Sequence, residues 1–314
     1  MLDAVLATLA SEGLAHDQVS LAVGFSGGLD SSVLLHLACR ATQALQAPPP
    51  LAVHIHHGLQ SPADAWVAHC AEMAQTFGAS FALHPVQVDR ASGLGIEAAA
   101  REARLAVFAS TRADAVLLAH HRDDQVETVL LNALRGSGLA GLCGMPIRRS
   151  LAGGPPLLRP LLAATRHQLQ DYARVHRLSW IDDPSNQDTR LRRNLLRQRV
   201  LPMIEAALPQ ARAALARLAG HAAEAQQLAD DLADLDAAAC SDARGLRCRA
   251  LSELSPHRAR NLLRRQLAHA GLRMPDAARL DEMLRQLAGD GRPEILHDDH
   301  LVCRREGRLI IRRV

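Results

Sequence analysis

The feature that most constrains this chain is the hexapeptide Ser-Gly-Gly-Leu-Asp-Ser at residues 26–31, which lies between an apolar run and a helical pattern. Residues 19–25 are rich in β-branched and apolar side chains and predict a buried strand, and residues 32–39 are apolar at helical spacing. A strand, a glycine turn and a helix direct unpaired N–H groups and the positive end of a helix dipole into one concavity. We therefore expect a phosphate-binding turn; the alternative is a plain glycine turn before a helix capped by Asp30 or Ser31.

The identity of the basic residues limits which type of phosphate-binding loop this turn can be. A Walker-type loop needs a lysine after its second glycine, and this chain has no lysine, since all 36 of its Lys and Arg residues are arginine. Because a Schiff base forms on the amine of a lysine side chain, the absence of lysine also excludes Schiff-base catalysis by this chain. No G-x-G-x-x-G segment joins the first predicted strand to its helix, so a dinucleotide fingerprint is not supported at this turn.

Four repeats of strand and helix predict the fold class. The strands are expected at residues 19–25, 51–56, 80–86 and 115–119, and the helices after them begin near residues 32, 62, 96 and 123, with a Gly93/Gly95 loop before the third. This spacing predicts an α/β fold with a parallel, doubly wound sheet, helices on both faces and right-handed crossovers. Such sheets bind ligands at the carboxyl ends of their strands, where the motifs at residues 26–31, 54–58 and 120–127 all fall.

The second half of the chain predicts a domain boundary. Residues 135–146 hold too many glycines for a regular element and are expected to form a mobile loop beside the site; a short strand at 157–162, a helix at 165–177 and a basic helix at 190–199 follow. These complete a catalytic domain over residues 1–209. An alanine-rich helix over 210–239 then links it to a small α+β domain over 240–314, with helices at 256–269 and 276–287 and strands at 294–297, 301–305 and 308–312 around a Glu306-Gly307 turn.

Charge is distributed unevenly along the chain. Residues 1–150 carry 9 arginines and 13 acidic residues, which gives a net charge of −4. Residues 151–314 carry 27 arginines and 20 acidic residues, which gives a net charge of +7. The basic excess suits a polyanionic partner larger than a nucleotide, although a solvated arginine-rich surface explains it equally well. Because aromatic residues make up only 2%, contact with RNA is expected to depend on arginine rather than on base stacking.

Cysteine usage and hydropathy predict the compartment. The six cysteines form no C-x-x-C and no metal-site spacing, which indicates reduced thiols. The amino terminus lacks the character of a signal peptide, and no window approaches about 18 uninterrupted apolar residues. We therefore expect a cytoplasmic protein.

Several titratable residues are candidates for chemistry. Asp124 and Glu127, spaced i,i+3 on a predicted helix, place two carboxylates on one face, and N-terminal helix capping explains them about equally well. His120 and His121 point to opposite sides of a strand, so we do not expect a transition-metal cluster. His54, near a strand end, is predicted to line an adenine pocket or to be a core histidine.

As a set, these motifs resemble those of one family of PP-loop ATP pyrophosphatases, the tRNA(Ile)-lysidine synthetases. The resemblance covers residues 19–210 and depends on residues 26–31, 53–59, 95–104, 120–128, 135–139 and 180–186, continuing to Arg193, Asn194 and Arg197. It implies that ATP adenylates the C2 oxygen of the wobble cytidine in a CAU anticodon, and that free L-lysine then displaces AMP. Longer family members carry a second carboxy-terminal domain used in tRNA recognition, and the sequence, which stops at Val314, resembles the short form.

The resemblance also implies roles for individual residues. The turn would grip the β,γ-pyrophosphate of ATP through Ser26, Gly27, Gly28, Leu29, Asp30 and Ser31, and Asp30 would help to hold Mg²⁺. Positions matching Asp124, Glu127 and Arg101 are implicated in lysine binding and catalysis. Lysine carries two ammonium groups and one carboxylate, so its pocket needs acids and a cation, and Arg101 is placed to be that cation or to stabilise the adenylate. Arg193 is the candidate for contact with the activated nucleotide or its phosphates, unless residues 190–199 are only a solvated basic face.

Other functions are weighed against this one. A PP-loop tRNA thiolase uses the same adenylation but needs cysteines to carry sulfur or an iron–sulfur cluster, and the sequence has no C-x-x-C. A non-catalytic ATP-sensing module would not need the Asp124/Glu127 pair. An amidotransferase or NAD synthetase would leave the basic second half without a role. The predicted partners are ATP, Mg²⁺, L-lysine and tRNA(Ile) with a CAU anticodon; a homodimer is left open.

Overall fold

The computed structural model describes residues 1–56, 63–86, 96–289 and 291–314. The chain divides into two compact units, residues 1–220 and 221–314. The turn predicted after His56 and the Gly93/Gly95 loop lie outside the described residues. No helix in the described part of the chain is both long enough and apolar enough to cross a membrane.

The first unit is built on a six-stranded sheet. Its strands are β1 (Leu21–Gly24), β2 (Leu51–His56), β3 (Ser80–Pro85), β4 (Ala115–Leu117), β5 (Arg148–Leu151) and β6 (Gly154–Leu158). Their order is β3-β2-β1-β4-β6-β5, and every pair is parallel except β5 with β6. Because β2 and β3 extend the sheet to one side of β1 and β4 lies on the other side, the direction of sheet growth reverses between β1 and β4.

Helices cover both faces of this sheet, as predicted. They are α1 (Leu2–Ser11), α2 (Leu29–Ala44), α3 (Ala63–Phe77), α4 (Ile96–Ser110), α5 (Arg122–Leu134), α6 (Leu139–Leu142) and α7 (Arg166–Val175). Leu21 and Val23 pack in one buried cluster with α1, α2, α3 and α7, whereas Ala22 between them packs in a second cluster with Phe108 of α4. The two-residue alternation along β1 therefore divides the core into two layers.

Helix α2 begins at Leu29, three residues earlier than the predicted start at residue 32. The hydroxyl groups of Ser31 and Ser32 donate to the carbonyl oxygen of Gly28 at 3.0 and 2.9 Å, so both serines are accommodated in the first turn. Serine and aspartate are usually signals for the residue before a helix, which is why the prediction began the helix after them.

The β5–β6 hairpin is an element that the sequence did not predict. The expected strand at residues 157–162 is shifted, since β6 runs over Gly154–Leu158 and β5 precedes it as an antiparallel edge strand. Pro155 and Pro156 hid this strand, because proline cannot donate to a sheet ladder; β6 pairs with β4 only at Leu157 and Leu158, beyond the prolines.

The glycine-rich segment after α5 contains a regular element, contrary to the prediction. Helix α6 forms one turn over Leu139–Leu142. Asn132 donates from its side chain to the carbonyl oxygen of Gly141 at 2.7 Å. Gln125 bonds Met145 in both directions, at 2.9 and 2.6 Å, so α5 holds the end of this segment.

The predicted basic helix is longer and less regular than expected. It consists of α8 (Arg192–Leu195), a π-helical segment (Leu196–Val200) and α9 (Leu201–Ala207), and it is followed by α10 (Ala211–Cys240). A π-helical segment inside a helix is rare and is frequently found at functional sites.

The second unit is a small α+β domain, as predicted. Its elements after α10 are β7 (Ser241–Asp242), β8 (Gly245–Leu246), α11 (Cys248–Glu253), α12 (Pro256–His269), α13 (Ala277–Ala288), β9 (Glu294–His297), β10 (His300–Arg305) and β11 (Arg308–Arg313). The last three strands form an antiparallel sheet packed on α12 and α13 through buried residues such as Leu263, Met283 and Val302. The predicted Glu306-Gly307 turn joins β10 to β11, and both of its residues have positive φ, as two-residue hairpin turns of this kind require.

Candidate active site

A cavity of about 480 Å³ lies at the carboxyl ends of β1, β2, β4 and β6. Its wall has an apolar part, lined by Val53, Ile55, Leu105, Phe108, Leu118 and Leu157. The cavity occupies the point where sheet growth reverses between β1 and β4, which is where open α/β sheets bind their ligands. The position predicted for the site is therefore the position of this cavity.

The turn after β1 is braced by its own serines. Ser31 Oγ accepts from the backbone N–H of Ser26 at 3.3 Å and lies 3.1 Å from Ser26 Oγ. The carbonyl oxygen of Gly27 accepts from the backbone N–H of Ile181 at 2.9 Å, which fixes the turn from a second segment. The first N–H groups of α2, a helix of 16 residues, have no acceptor within the helix and remain for an anion.

Gly27 is required by both its backbone angle and its surroundings. Its φ is +79°, and a Cβ atom there would lie 2.6 Å from Cys70 Sγ and 3.0 Å from Ile181 Cδ1. Gly27→Ala is therefore expected to lower the free energy of unfolding by about 2–4 kcal/mol, the sum of left-handed backbone strain and overpacking. Urea unfolding followed by the fluorescence of Trp66 and Trp180, both in the first unit, measures this loss.

Gly13 provides the matched control for Gly27. Its φ is +70°, but a Cβ atom there would meet nothing within 4 Å. Gly13→Ala should thus show the backbone strain alone, about 1–2 kcal/mol. Equal losses in the two variants would contradict the packing argument at Gly27.

His121 lies at the centre of three carboxylates. Its ring is fully buried, and Nε2 is 3.6 Å from Asp30 Oδ2 and 3.4 Å from Asp124 Oδ2. Its Nδ1 accepts from the backbone N–H of Asp123 at 3.2 Å, so the ring caps α5, while Asp124 Oδ2 accepts from the backbone N–H of His121 at 3.0 Å. Asp124 therefore does cap helix α5, which was the alternative interpretation of this residue, but it uses only one of its two carboxylate oxygens to do so.

Asp124 and Glu127 share two arginines of the basic helix. Glu127 is fully buried; its Oε2 accepts from Arg193 Nε at 2.7 Å and its Oε1 from Arg197 Nε at 2.6 Å. Asp124 Oδ1 accepts from Nη2 of both arginines at 3.0 Å. Burial raises the pKa of Asp124, but His121 and Arg193 outweigh it and hold that pKa below its usual range. Asp124 is therefore charged at neutral pH.

Two histidines contact the cavity as neutral rings. His54 Nδ1 donates to the carbonyl oxygen of Phe25 at 2.9 Å, which leaves Nε2 as an acceptor, and burial lowers the pKa of the ring. Burial also lowers the pKa of His120, to about 4, with Arg159, Arg193 and Arg104 adding to the effect and Asp124 opposing it. Both rings are uncharged at pH 7.

Four arginines line the same cavity, namely Arg101, Arg104, Arg149 and Arg159. Arg101 projects from the exposed side of α4, whereas Arg159 is only 4% exposed. Burial, with Arg149 and Arg101 nearby, lowers the pKa of Arg159 to about 10, so the side chain still carries its charge at pH 7. The cavity therefore joins a positive region to the carboxylates of Asp30 and Asp124.

The structure brings most of the predicted residues together. Ser26, Asp30, Ser31, His54, Arg101 and Asp124 line the cavity, and Gly27, Gly28 and Leu29 form the turn beneath it. Glu127 and Arg193 do not line the cavity but bond to each other. The sequence prediction missed Arg159 because it fell inside the strand expected at residues 157–162, whereas β6 ends at Leu158 and Arg159 follows it.

The residues present fit a magnesium ion bound mainly by phosphate. Among the described residues there is no group of three His, Cys, Asp or Glu side chains able to hold a metal. Asp30 Oδ1, however, is buried and has no hydrogen-bond partner among the described residues, at the turn where phosphate is expected. One carboxylate together with substrate phosphates is the usual environment of Mg²⁺ in nucleotide sites.

A parallel sheet with a glycine turn, a helix N-terminus and a cavity at its switch point defines an α/β nucleotide-binding protein. The PP-loop domain family matches residues 3–204, so the chain belongs to this family, and the match implies ATP binding. A TilS substrate binding domain matches residues 246–310.

Individual relatives agree with this assignment. A Burkholderia pseudomallei protein named tRNA(Ile)-lysidine synthase is 50% identical over 90% of this chain and 59% of its own length. A protein of the same name from Alkalilimnicola ehrlichii is 48% identical over 86% of this chain and 61% of its own length. The chain thus spans about six tenths of the length of these curated relatives. The U34-tRNA thiolase NcsA from Methanococcus maripaludis is similar in fold, with a TM-score of 0.57 at 17% identity over 70% of this chain and 77% of that one.

Proposed function

We propose that this protein is a ligase that joins L-lysine to C2 of the wobble cytidine in the CAU anticodon of tRNA(Ile), using ATP. The observation that carries the proposal is that a phosphate-type turn, Asp124 and four arginines all line the same cavity. The relatives named for this activity support it. Six cysteines that are free in the structure support the cytoplasmic location.

The first chemical step is adenylation. The C2 oxygen of cytidine attacks the α-phosphorus of ATP, and pyrophosphate leaves. The N–H groups at the start of α2 and the serines of the turn bind the β- and γ-phosphates, and Asp30 would hold a Mg²⁺ ion that neutralises part of their charge. The adenine ring fits the apolar part of the cavity, where His54 Nε2 can accept from an amino group.

The second step is attack by lysine. The C2 oxygen is a poor leaving group until adenylation converts it to part of AMP, after which an amine of lysine bonds to C2 and AMP departs with the oxygen. Asp124 lines the cavity and is charged, so we assign it to an ammonium group of lysine. Glu127, which is fully buried, is assigned to holding Arg193 and Arg197. Arg101 and Arg193 stay candidates for the charge of the adenylate.

Transfer of sulfur is less well supported by the site. A thiolase needs cysteine or a cluster at the activated base, and no cysteine is among the described residues that line the cavity. Burial also raises the pKa of Cys70, near the turn, to about 12, so this thiol is not a nucleophile at neutral pH. The net positive second half of the chain supports tRNA as the polyanionic partner.

Transfer of labelled L-lysine into an unmodified isoleucine tRNA transcript with a CAU anticodon tests the proposal. Incorporation should require ATP and Mg²⁺, and pyrophosphate and AMP should appear in equal amounts with the product. An elongator methionine tRNA, which has the same anticodon, is the control substrate. Absence of incorporation together with absence of tRNA-stimulated pyrophosphate release would contradict the proposal.

A further inference from the structure

One side chain in the cavity carries a charge that no carboxylate in the described part of the chain balances, and the inference from it rests on the proposed function. Arg159 is 4% exposed, directly follows β6 and lines the cavity. No carboxylate of the described residues lies within ion-pair distance of its guanidinium group. Arginine is almost never buried to this degree without a partner anion.

The hydrogen bonds of Arg159 orient it without neutralising it. Nε donates to His120 Nδ1 at 3.3 Å, and Nη1 donates to the carbonyl oxygen of Pro146 at 2.7 Å. Both acceptors are neutral, since His120 is uncharged at pH 7. Nη2 has no acceptor among the described residues, so its two N–H groups remain for a ligand in the cavity.

The surroundings favour a small anion as this ligand. The cations Arg149 and Arg101 act on the guanidinium group of Arg159, and their repulsion favours binding of a negative charge beside it. The phosphates of ATP already have the turn after β1 and the N-terminus of α2, whereas Arg159 follows β6, two strands away. His120 accepts a hydrogen bond from Arg159, and the charge of Asp124 also acts on it, so a cation and an acid both lie near this ring.

We infer that Arg159 binds the carboxylate of the amino-acid substrate while Asp124 faces an ammonium group. A zwitterionic ligand needs both charges at a fixed separation, and two protein hydrogen bonds hold Arg159 in place before the ligand arrives. Arg101, the predicted cation, is exposed on α4, whereas Arg159 is buried at the end of β6. The site would therefore select an amino acid over a simple diamine.

Comparing lysine with 1,5-diaminopentane, which is lysine without its carboxylate, tests this inference. In the lysine-transfer assay the protein should use lysine with a kcat/KM about 10- to 100-fold above that for the diamine, the size of one charge-assisted bond at a buried site. Arg159→Gln should remove this preference by raising the KM for lysine by a similar factor, and should leave the kinetics with the diamine and the KM for ATP unchanged. Arg159→Lys keeps the charge and should restore part of the preference.

A neighbouring arginine supplies the control. Arg148 lies on the adjacent strand, is half exposed and pairs with Glu12 at 2.7 Å, so Arg148→Gln should leave the preference intact. If Arg159→Gln lowers kcat/KM equally for lysine and for the diamine, Arg159 has a merely structural role. If the variant raises the KM for ATP and leaves the KM for lysine unchanged, Arg159 binds phosphate instead. If Arg159→Gln does not fold, equal use of lysine and diamine by the unaltered protein overturns the inference. Product from neither amine would overturn the proposed function as well, whereas product with the wrong selectivity overturns only the role of Arg159.

Discussion

Glu127→Gln is expected to lower the free energy of unfolding of the first unit by about 3 kcal/mol, the lower end of the usual loss for one member of a buried ion pair. The side chain of Glu127 is 0% exposed and bonds two arginines, so its removal leaves two guanidinium groups facing a neutral amide. Because the side chains of these two arginines are 34% and 25% exposed, water compensates in part, and we do not expect a larger loss. Urea unfolding at pH 7, followed by tryptophan fluorescence, measures the effect.

Glu12→Gln is the control for this prediction. Glu12 pairs with Arg148 in the same unit at 2.7 Å, but the arginine side chain is 50% exposed. Exposed pairs of this kind contribute about 0–1 kcal/mol, so the control should unfold nearly as the unaltered protein does. A loss in Glu127→Gln no greater than in Glu12→Gln would show that the Glu127 pairs are not a stabilising network.

Asp30→Asn is expected to weaken the binding of ATP in the presence of Mg²⁺ by at least about 10- to 100-fold, as changes around a metal site commonly do. The reason is that Asp30 Oδ1 is buried with no hydrogen-bond partner in the described part of the chain, so this oxygen is available for the metal. Titration calorimetry with ATP should show that Mg²⁺ strengthens binding to the unaltered protein and no longer does so in the variant. This measurement does not depend on turnover.

Asp182→Asn provides the comparison for Asp30. Asp182 is exposed, accepts a hydrogen bond from Trp180 Nε1 at 3.1 Å and does not line the cavity. It is nevertheless close to the turn, because the backbone N–H of the preceding residue, Ile181, donates to the carbonyl oxygen of Gly27. Its substitution should leave the magnesium effect on ATP binding unchanged. If Asp30→Asn also retains the full magnesium effect, Asp30 is not the metal ligand.

The parts of the fold that the sequence predicted are those encoded locally. Residues 51–56 are mostly apolar and were predicted as a strand, and β2 has these bounds in the structure. The parts that were missed depend on distant neighbours. Pro155 and Pro156 argue against a strand, yet β6 forms because it pairs with β4 only after them. A Cβ at Gly154 would lie 2.6 Å from backbone atoms of Ala109, a close approach that no local pattern reveals.

The same distinction applies to the candidate site. The turn, Asp30 and Asp124 could be predicted because each lies in a motif with its own local geometry. The pairing of Glu127 with Arg193 joins residues 66 positions apart, and in the sequence each has an adequate local explanation as a helix cap or a solvated base. Arg159 was overlooked because a single arginine after a strand carries no pattern, and its importance comes from burial alone.

The long separation within the ion network also has a consequence for synthesis of the chain. All six strands of the sheet are complete by Leu158, whereas Arg193 and Arg197, which neutralise Glu127, follow more than thirty residues later. While these arginines are still within the ribosome, the nascent sheet can assemble but Glu127 must remain hydrated, because a buried carboxylate without a partner is costly. Completion of the active site is therefore coupled to emergence of the basic helix, and a nascent chain that ends before residue 193 should be held open at α5.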